Sequence, residues 1–303
     1  MWYFLSKQAG RIGVGFFFIV SGYYYLKALM DGNDIFKKYF LKLLKTYIFW
    51  SIVYVPINIY SYLLEGKGVI DIIKSLLGCF FIFGSYYHFW FFISLIFSVV
   101  IVTLFYKWKK LNLLGLLTIP LYVFYVLVQM KDYINIEVFN RICNIPYFLV
   151  IERLFLFGLP LFMLGYWLYL FQEKLMKIDK KKTLFVTILL AILVFSFKMK
   201  DVSEMTLGYF AYCTSMRLLT PILLIFIMVS CFHFPMPKLK VHIAKIKSAA
   251  TIMYYTHPAI LFIVSIQWKE LSPLFLLMVC ITINAILGSL LSKYNGKWSR
   301  IIL

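Results

Sequence analysis

Apolar stretches of about 20 residues recur along the whole 303-residue chain, and they constrain its fold more than any other feature. A bilayer core of roughly 30 Å is crossed by about 20 apolar residues in a helix, because unpaired backbone groups are too costly there. Charged residues make up only 14% of the chain, against roughly 25% in soluble domains. The sequence therefore predicts an all-α, polytopic integral membrane protein.

Nine stretches have the length and composition of membrane-spanning helices. They are Val14–Met30, Thr46–Leu64, Phe89–Tyr106, Leu111–Met130, Leu154–Phe171, Thr183–Phe197, Cys213–Phe232, Ala249–Ile266 and Pro273–Leu291. No linker rich in Ser and Pro, and no block of charge, divides the chain into halves. We therefore expect about nine transmembrane helices in a single domain over residues 1–303.

The loops between these stretches alternate in charge, and this alternation orients the predicted helices. Most of the 31 Lys and Arg residues lie in every second loop. Loops rich in Lys and Arg stay in the cytoplasm during insertion. The basic segments are Lys37–Lys45, Lys107–Lys110, Lys174–Lys182, Lys238–Lys247 and Lys293–Arg300. The C-terminus is therefore predicted to be cytoplasmic, and nine helices place Met1 outside.

This topology also explains the formal charge of +19. The basic face would lie against the anionic cytoplasmic leaflet, so the bilayer is the expected partner. No folded basic patch with base-stacking aromatic residues is left to explain, which argues against nucleic-acid binding. The five cysteines include no C-x-x-C pair, and no His, Cys and carboxylate residues cluster at metal-ligand spacing. No metal site is predicted.

Five short motifs follow one another along the chain. They are Arg11-Ile-Gly-Val-Gly-Phe-Phe-Phe-Ile-Val-Ser-Gly-Tyr23, the basic turn Phe36–Lys45, His88-Phe-Trp-Phe-Phe-Ile-Ser-Leu95, Arg153–Tyr166 and Ser248–Pro258. In this order and spacing they resemble the acyltransferase-3 family of membrane O-acyltransferases, from its second helix onward. Gly15 stands where the family usually has proline.

The resemblance implies transfer of an acyl group, most often acetyl, to a hydroxyl of a cell-surface saccharide or wall component. Acyl-CoA would be the donor substrate, no cofactor would be bound, and the protein would lie in the cell membrane as a multi-pass enzyme of O-acetylation. The family's first helix usually carries Arg and His separated by ten residues, the pair to which acyl transfer is assigned. No such pair precedes Arg11, so the resemblance assigns no catalytic residue to this chain.

We therefore expect a member of this family without its usual first helix. That expectation also accounts for the odd number of predicted helices and for the external Met1. The first alternative is a relative of the family that is inactive because the helix with the catalytic pair is absent. A second alternative is a polytopic transporter or export protein for a small molecule or glycan precursor, which would use broken helices and buried charges. The chain has prolines within its apolar stretches, but buried charges are scarce, which favours the enzyme.

Candidate site residues follow from the chemistry of acyl transfer. A base near neutral pKa has to take the hydroxyl proton, and a cation or donor has to stabilise the developing oxyanion. Histidine suits the first task and arginine the second, and ionisable groups within a membrane-spanning helix usually face a cavity or a partner. The substrate-site candidates are Arg11, Ser21, His88, Trp90, Arg153, Arg217 and His257. Candidates for the phosphates of CoA are Lys37, Lys38, Lys42 and Lys45.

Each substrate-site candidate also has a structural interpretation. His88 would be an anchor in the interfacial aromatic belt, and His257 a neutral, hydrogen-bonded core residue. Small residues such as Ser21 and Gly22 allow close helix packing. Arg153 and Arg217 would reach the membrane surface or pair with an acidic residue. The acidic residues available for that pairing are Glu152, Asp201 and Glu204.

Overall fold

The computed structural model describes residues 2–131, 136–145, 147–196, 207–234, 240–267 and 272–293. This part of the chain is all-helical and contains no strand, as predicted. The helices are α1 (Trp2–Met30), α2 (Phe36–Leu64), α3 (Val69–Gly78), α4 (Trp90–Lys107), α5 (Leu111–Val128), α6 (Glu137–Cys143), α7 (Phe148–Met176), α8 (Lys180–Ser196), α9 (Leu207–His233), α10 (Lys240–Gln267) and α11 (Pro273–Lys293).

A helix lies over each of the nine predicted apolar stretches. Within the described ranges, 5 helices are long and apolar enough to cross a membrane: Ile12–Met30, Phe36–Leu64, Trp90–Lys107, Leu111–Val128 and Phe148–Met176. Shorter apolar helical stretches are Arg217–His233, Ser248–Val264 and Phe275–Leu290. The count of nine crossings and the cytoplasmic C-terminus remain predictions.

Several helices begin well before the apolar stretch that predicts them. α2 starts at Phe36 rather than Thr46, and α10 at Lys240 rather than Ala249. The added turns of both helices are rich in Lys, and those of α2 also in Leu. Both residues are good helix formers, although the Lys-rich turns are too polar for the hydrocarbon layer. Hydropathy therefore locates the membrane-spanning part of each helix but not its ends.

The chain divides into two compact units. The first unit consists of residues 1–40 and 90–235, and the second of residues 41–89 and 236–303. Helices α1 and α4 to α9 belong to the first unit, and α3, α10, α11 and most of α2 belong to the second. The predicted single domain over residues 1–303 remains a prediction.

In the first unit, α1 and α7 pack with their backbones in contact. A Cβ atom added at Gly22 would lie 2.0 Å from the carbonyl oxygen of Phe162, and one added at Gly165 would lie 2.3 Å from the backbone nitrogen of Tyr23. Phe18 and Phe162 are fully buried at this contact. The packing role predicted for small residues in this part of α1 is thus confirmed for Gly22.

Helix α7 contains a π-helical segment, Glu152–Gly158. Next to this segment, the Ser94 hydroxyl of α4 donates a hydrogen bond of 2.8 Å to the carbonyl oxygen of Arg153. Gly158 admits this hydroxyl, since a Cβ atom there would lie 1.9 Å from the Ser94 oxygen. Such π-helical turns often occur at functional sites, and this one sets the positions of Glu152 and Arg153.

The second unit is held together by aromatic and polar contacts of α2, α10 and α11. The hydroxyl of Tyr54, a fully buried side chain, donates a 2.7 Å hydrogen bond to the carbonyl oxygen of Tyr255. Trp50 stacks on Tyr255 with ring centroids 4.7 Å apart. The Thr256 hydroxyl donates to the Asn284 side chain. These contacts fix the turn of α10 that carries His257.

Candidate functional site

The structure brings several of the predicted site residues together in two groups, one in each unit. We call His88 and His257 of the second unit the histidine pair. We call Gln129, Glu152, Arg153 and Arg217 of the first unit the arginine cluster.

His257 is positioned by the proline that follows it. Pro258 has no N–H group, so the carbonyl of Tyr254 one turn earlier lacks its usual helical donor. The His257 Nδ1 atom lies 3.1 Å from that carbonyl oxygen and 2.8 Å from the carbonyl oxygen of Met253. A carbonyl oxygen is an acceptor, so a ring nitrogen can hydrogen-bond to it only when that nitrogen is protonated. Nδ1 therefore carries the proton. In the neutral ring, Nε2 therefore carries the lone pair.

His88 lies in the loop before α4 and is enclosed by aromatic rings. Its side chain is 8% exposed, and both of its ring nitrogens are buried with no hydrogen-bond partner among the described residues. The rings around it belong to Tyr54, Tyr86, Tyr87, Phe89 and Tyr254. An unsatisfied buried polar group costs about 1–3 kcal/mol. His88 thus has hydrogen-bonding capacity that no described residue uses.

The two histidine rings are neighbours, with centroids 5.7 Å apart and planes inclined at 58°. Burial, and to a smaller extent the nearby His257, lowers the pKa of His88 to about 3. His88 is therefore neutral at pH 7 and offers one N–H donor and one lone pair. Tyr254 supports this arrangement because its hydroxyl donates a 3.0 Å hydrogen bond to the carbonyl oxygen of His88. The pair combines hydrogen-bond donors and acceptors in an aromatic surrounding.

In the arginine cluster, Gln129 joins Glu152 to Arg217. The Gln129 side-chain amide donates to the Glu152 carboxylate, and its Oε1 accepts a 3.2 Å hydrogen bond from the Arg217 guanidinium. The backbone oxygen of Gln129 lies 3.4 Å from the other terminal nitrogen of Arg217. The Tyr122 hydroxyl donates to the carbonyl oxygen of Arg217. Arg217 and Glu152 are thus linked through an intervening amide.

Arg153 extends the cluster toward α4. Its guanidinium carbon lies 5.3 Å from the centroid of the Trp90 ring, within the range of a cation–π contact. With Arg217, the cluster contains two guanidinium groups and one carboxylate, so its formal charge is positive. Such a cluster suits an anionic group, because guanidinium binds phosphate and carboxylate through paired hydrogen bonds.

A cavity of about 230 Å³ lies in the same unit. It is lined mainly by apolar side chains: Thr118, Ile119, Tyr122, Val123, Pro160, Leu161, Leu164, Trp167, Leu218 and Pro221. Within the described part of the chain, the Trp167 ring nitrogen is buried without a hydrogen-bond partner. The sequence did not predict this cavity, because its lining residues are as apolar as those on the packed face of any buried helix. The prolines in the lining were the sole feature of the sequence that pointed to it.

The remaining candidates are spread over α1 and α2. Lys37, Lys38, Lys42 and Lys45 have exposed side chains along the first turns of α2. Ser21 hydrogen-bonds with the Tyr39 side chain, which favours its structural interpretation. The side chain of Arg11 lies outside the described residues, as do Asp201 and Glu204.

Comparison with known proteins decides the family. Residues 1–294, nearly the whole chain, match the acyltransferase-3 family, described as an acyltransferase domain. The chain belongs to the acyltransferase-3 family. Together with the apolar helices, this membership identifies a membrane protein with an acyltransferase domain.

One curated relative of this acyltransferase-3 member is an amino-acid racemase from Enterococcus faecalis. The two proteins are 34% identical over 100 residues, which make up 31% of this chain and 14% of the relative. The match thus spans about one-seventh of the relative, and it carries no conclusion about the substrate. No solved structure matches the chain.

The site contains residues that sequence reasoning missed. Gln129 is an uncharged residue at the end of an apolar stretch, and nothing in its neighbourhood in the sequence indicates that it bridges two charged groups. Tyr254 is one of 23 tyrosines, and its hydrogen bond to the backbone of His88 joins segments 166 residues apart. The His257-Pro258 dipeptide was the one sequence feature that indicated how His257 is held, because proline leaves the carbonyl group one turn earlier without its helical hydrogen bond.

Proposed function

We propose that this protein transfers an acyl group, most simply acetyl, from acyl-CoA to a hydroxyl of a cell-surface saccharide or wall component, in the cell membrane. The match of residues 1–294 to an acyltransferase family carries the proposal. In the reaction the hydroxyl oxygen bonds to the acyl carbon, the thioester C–S bond breaks, and the hydroxyl proton ends on the CoA thiol. Acyl transfer of this kind needs proton acceptors and hydrogen-bond donors, which the histidine pair supplies in neutral form.

The lysines of α2 support an acyl-CoA donor. Lys37, Lys38, Lys42 and Lys45 lie in a predicted cytoplasmic segment, and all four side chains are exposed. CoA carries several phosphate charges and is present in the cytoplasm. A row of exposed cations attracts such a substrate and holds its phosphates.

The direct test supplies acetyl-CoA labelled in the acetyl group to inverted membrane vesicles that contain the protein. We expect alkali-labile label in the saccharide or wall fraction, and none in vesicles without the protein. Flux of a solute across the vesicle membrane with no acylation would overturn the proposal in favour of a transporter.

Replacing Lys37, Lys38, Lys42 and Lys45 together by Gln is expected to raise the KM for acetyl-CoA about tenfold and to change kcat less than twofold. Exposed charge pairs contribute roughly 0.2–1 kcal/mol each, and a tenfold change corresponds to about 1.4 kcal/mol. Initial rates at varied acetyl-CoA concentration measure both constants. The matched control replaces Lys107, Lys109 and Lys110, from another predicted cytoplasmic segment, by Gln. An equal rise in KM in the control would show a general effect of surface charge.

A further inference from the structure

We infer that His88 and His257 bind the hydroxyl group of the acyl acceptor between their rings. His88 donates an N–H to the hydroxyl oxygen, and the lone pair on His257 Nε2 accepts the hydroxyl hydrogen. This inference rests on the proposed function for the identity of the ligand as an acyl acceptor. The ligand class is a hydroxyl compound with apolar faces, such as a saccharide.

The first argument is the unmet hydrogen-bonding capacity of His88. Its ring is enclosed, and neither nitrogen has a partner among the described residues. A neutral imidazole has one donor and one acceptor to satisfy. A hydroxyl group is among the smallest groups that both donate and accept, so it matches what this ring lacks.

The second argument is the fixed tautomer of His257. Its Nδ1 proton is engaged by the carbonyl oxygens of Met253 and Tyr254, which leaves Nε2 as an acceptor. The two ring centroids lie 5.7 Å apart. This separation is compatible with one oxygen atom bridging two nitrogens through hydrogen bonds of about 2.8 Å each.

The third argument is the role of the surrounding tyrosines. The hydroxyls of Tyr54 and Tyr254 donate to the backbone oxygens of Tyr255 and His88, respectively. They hold the histidine pair in place and do not compete for a ligand. Tyr87 lies beside His88 and is 61% exposed, so its ring offers an apolar face next to the pair. Aromatic faces beside hydrogen-bonding groups suit a molecule with both carbon and hydroxyl surfaces.

Nitrogen NMR of the full chain, labelled with ¹⁵N-histidine in lipid nanodiscs, tests the binding directly. The chain has four histidines, so single substitutions assign the signals. N-acetylglucosamine serves as the probe. We expect a saturable shift of the His88 and His257 nitrogens and no shift of His233, which lies in the other unit. Unshifted His88 and His257 signals would overturn the inference.

His257→Asn separates binding from structural support. The Asn side-chain nitrogen takes the place of Nδ1, so it keeps a donor for the carbonyls of Met253 and Tyr254, but the atom equivalent to Nε2 is gone. We expect the variant to fold with unchanged thermal stability and to lose the probe-induced shift of His88. His233→Asn is the matched control. A shift retained in His257→Asn would contradict the assignment of Nε2 as the acceptor.

Acyl transfer from acetyl-CoA, measured on the same preparations, separates this inference from the proposed function. We expect kcat/KM for the acceptor to fall at least tenfold in His257→Asn, with the KM for acetyl-CoA unchanged. A wild-type protein that binds the probe but transfers no acetyl would refute the proposed function and leave the hydroxyl site intact. A wild-type protein that transfers acetyl, with His257→Asn equally active, would refute the site and leave the function intact.

Discussion

Gly22→Ala is expected to separate α1 from α7 and to destabilise the protein by about 3 kcal/mol or more, the upper end of the range for overpacked cores. The added methyl carbon would lie 2.0 Å from the carbonyl oxygen of Phe162. This oxygen belongs to the backbone of α7, so it cannot move away as the end of a side chain would. The whole helix has to shift, and the Gly165 contact with Tyr23 is lost with it.

Thermal unfolding of the purified protein in detergent, followed by size-exclusion chromatography, measures this effect. Gly13→Ala is the matched control, because it lies on the same helix and a Cβ atom there would meet nothing within 4 Å. We expect the control to be as stable as the wild type or slightly more stable, since Ala is the better helix former. Equal stability of the two variants would contradict the close packing of α1 on α7.

Gln129→Leu is expected to have the second largest effect, a loss of about 2–4 kcal/mol. The substitution removes the amide that donates to the Glu152 carboxylate and accepts from the Arg217 guanidinium. Hydrogen bonds to charged groups contribute roughly 1.5–3 kcal/mol each, and both charged groups here are partly buried. Leu fills a similar volume, so the loss of stability measures the lost hydrogen bonds and not the opening of a cavity.

Gln172→Leu provides the comparison for that prediction. Gln172 accepts a hydrogen bond of 2.5 Å from the Tyr23 hydroxyl, so the same substitution there removes a bond between uncharged groups. We expect it to cost about 1 kcal/mol. Chemical or thermal denaturation of both variants shows which of the two loses more stability. A Gln129→Leu variant no less stable than Gln172→Leu would show that the arginine cluster contributes little to stability.

The helices could be predicted from the sequence because the bilayer leaves the chain few alternatives. A helix lies over every predicted apolar stretch, and Gly22 has the packing role that small residues have between membrane helices. Helix ends could not be predicted in the same way. The charged turns that begin α2 and α10 are helical although they are not apolar, so hydropathy gives no signal for them.

The candidate site could be predicted only in part. The sequence indicated His257 and Arg217 because polar groups within apolar stretches are costly and need partners. It indicated His88 and Arg153 because each begins one of the five motifs, at the edge of an apolar stretch. Their partners depend on tertiary structure. The bridge through Gln129 and the π-helical segment at Glu152 arise from how α5, α7 and α9 meet, and no local pattern encodes them.

Family membership could be predicted from five motifs because their order and spacing span the chain, although each motif is short. The identity of the acceptor could not, since hydroxyl groups differ little in the chemistry they require. The histidine pair gives the described part of the chain hydrogen-bonding groups that an acceptor hydroxyl can use.

Measuring both products of the proposed reaction in the same inverted vesicles tests the acyl transfer itself. After acetyl-CoA is added, free CoA thiol and ester-linked acetyl in the saccharide or wall fraction are measured together over time. Acyl transfer to a hydroxyl predicts equal amounts of the two products, both dependent on the protein. Release of CoA thiol without ester, or the absence of both products, would show that the protein does not transfer acetyl to a hydroxyl.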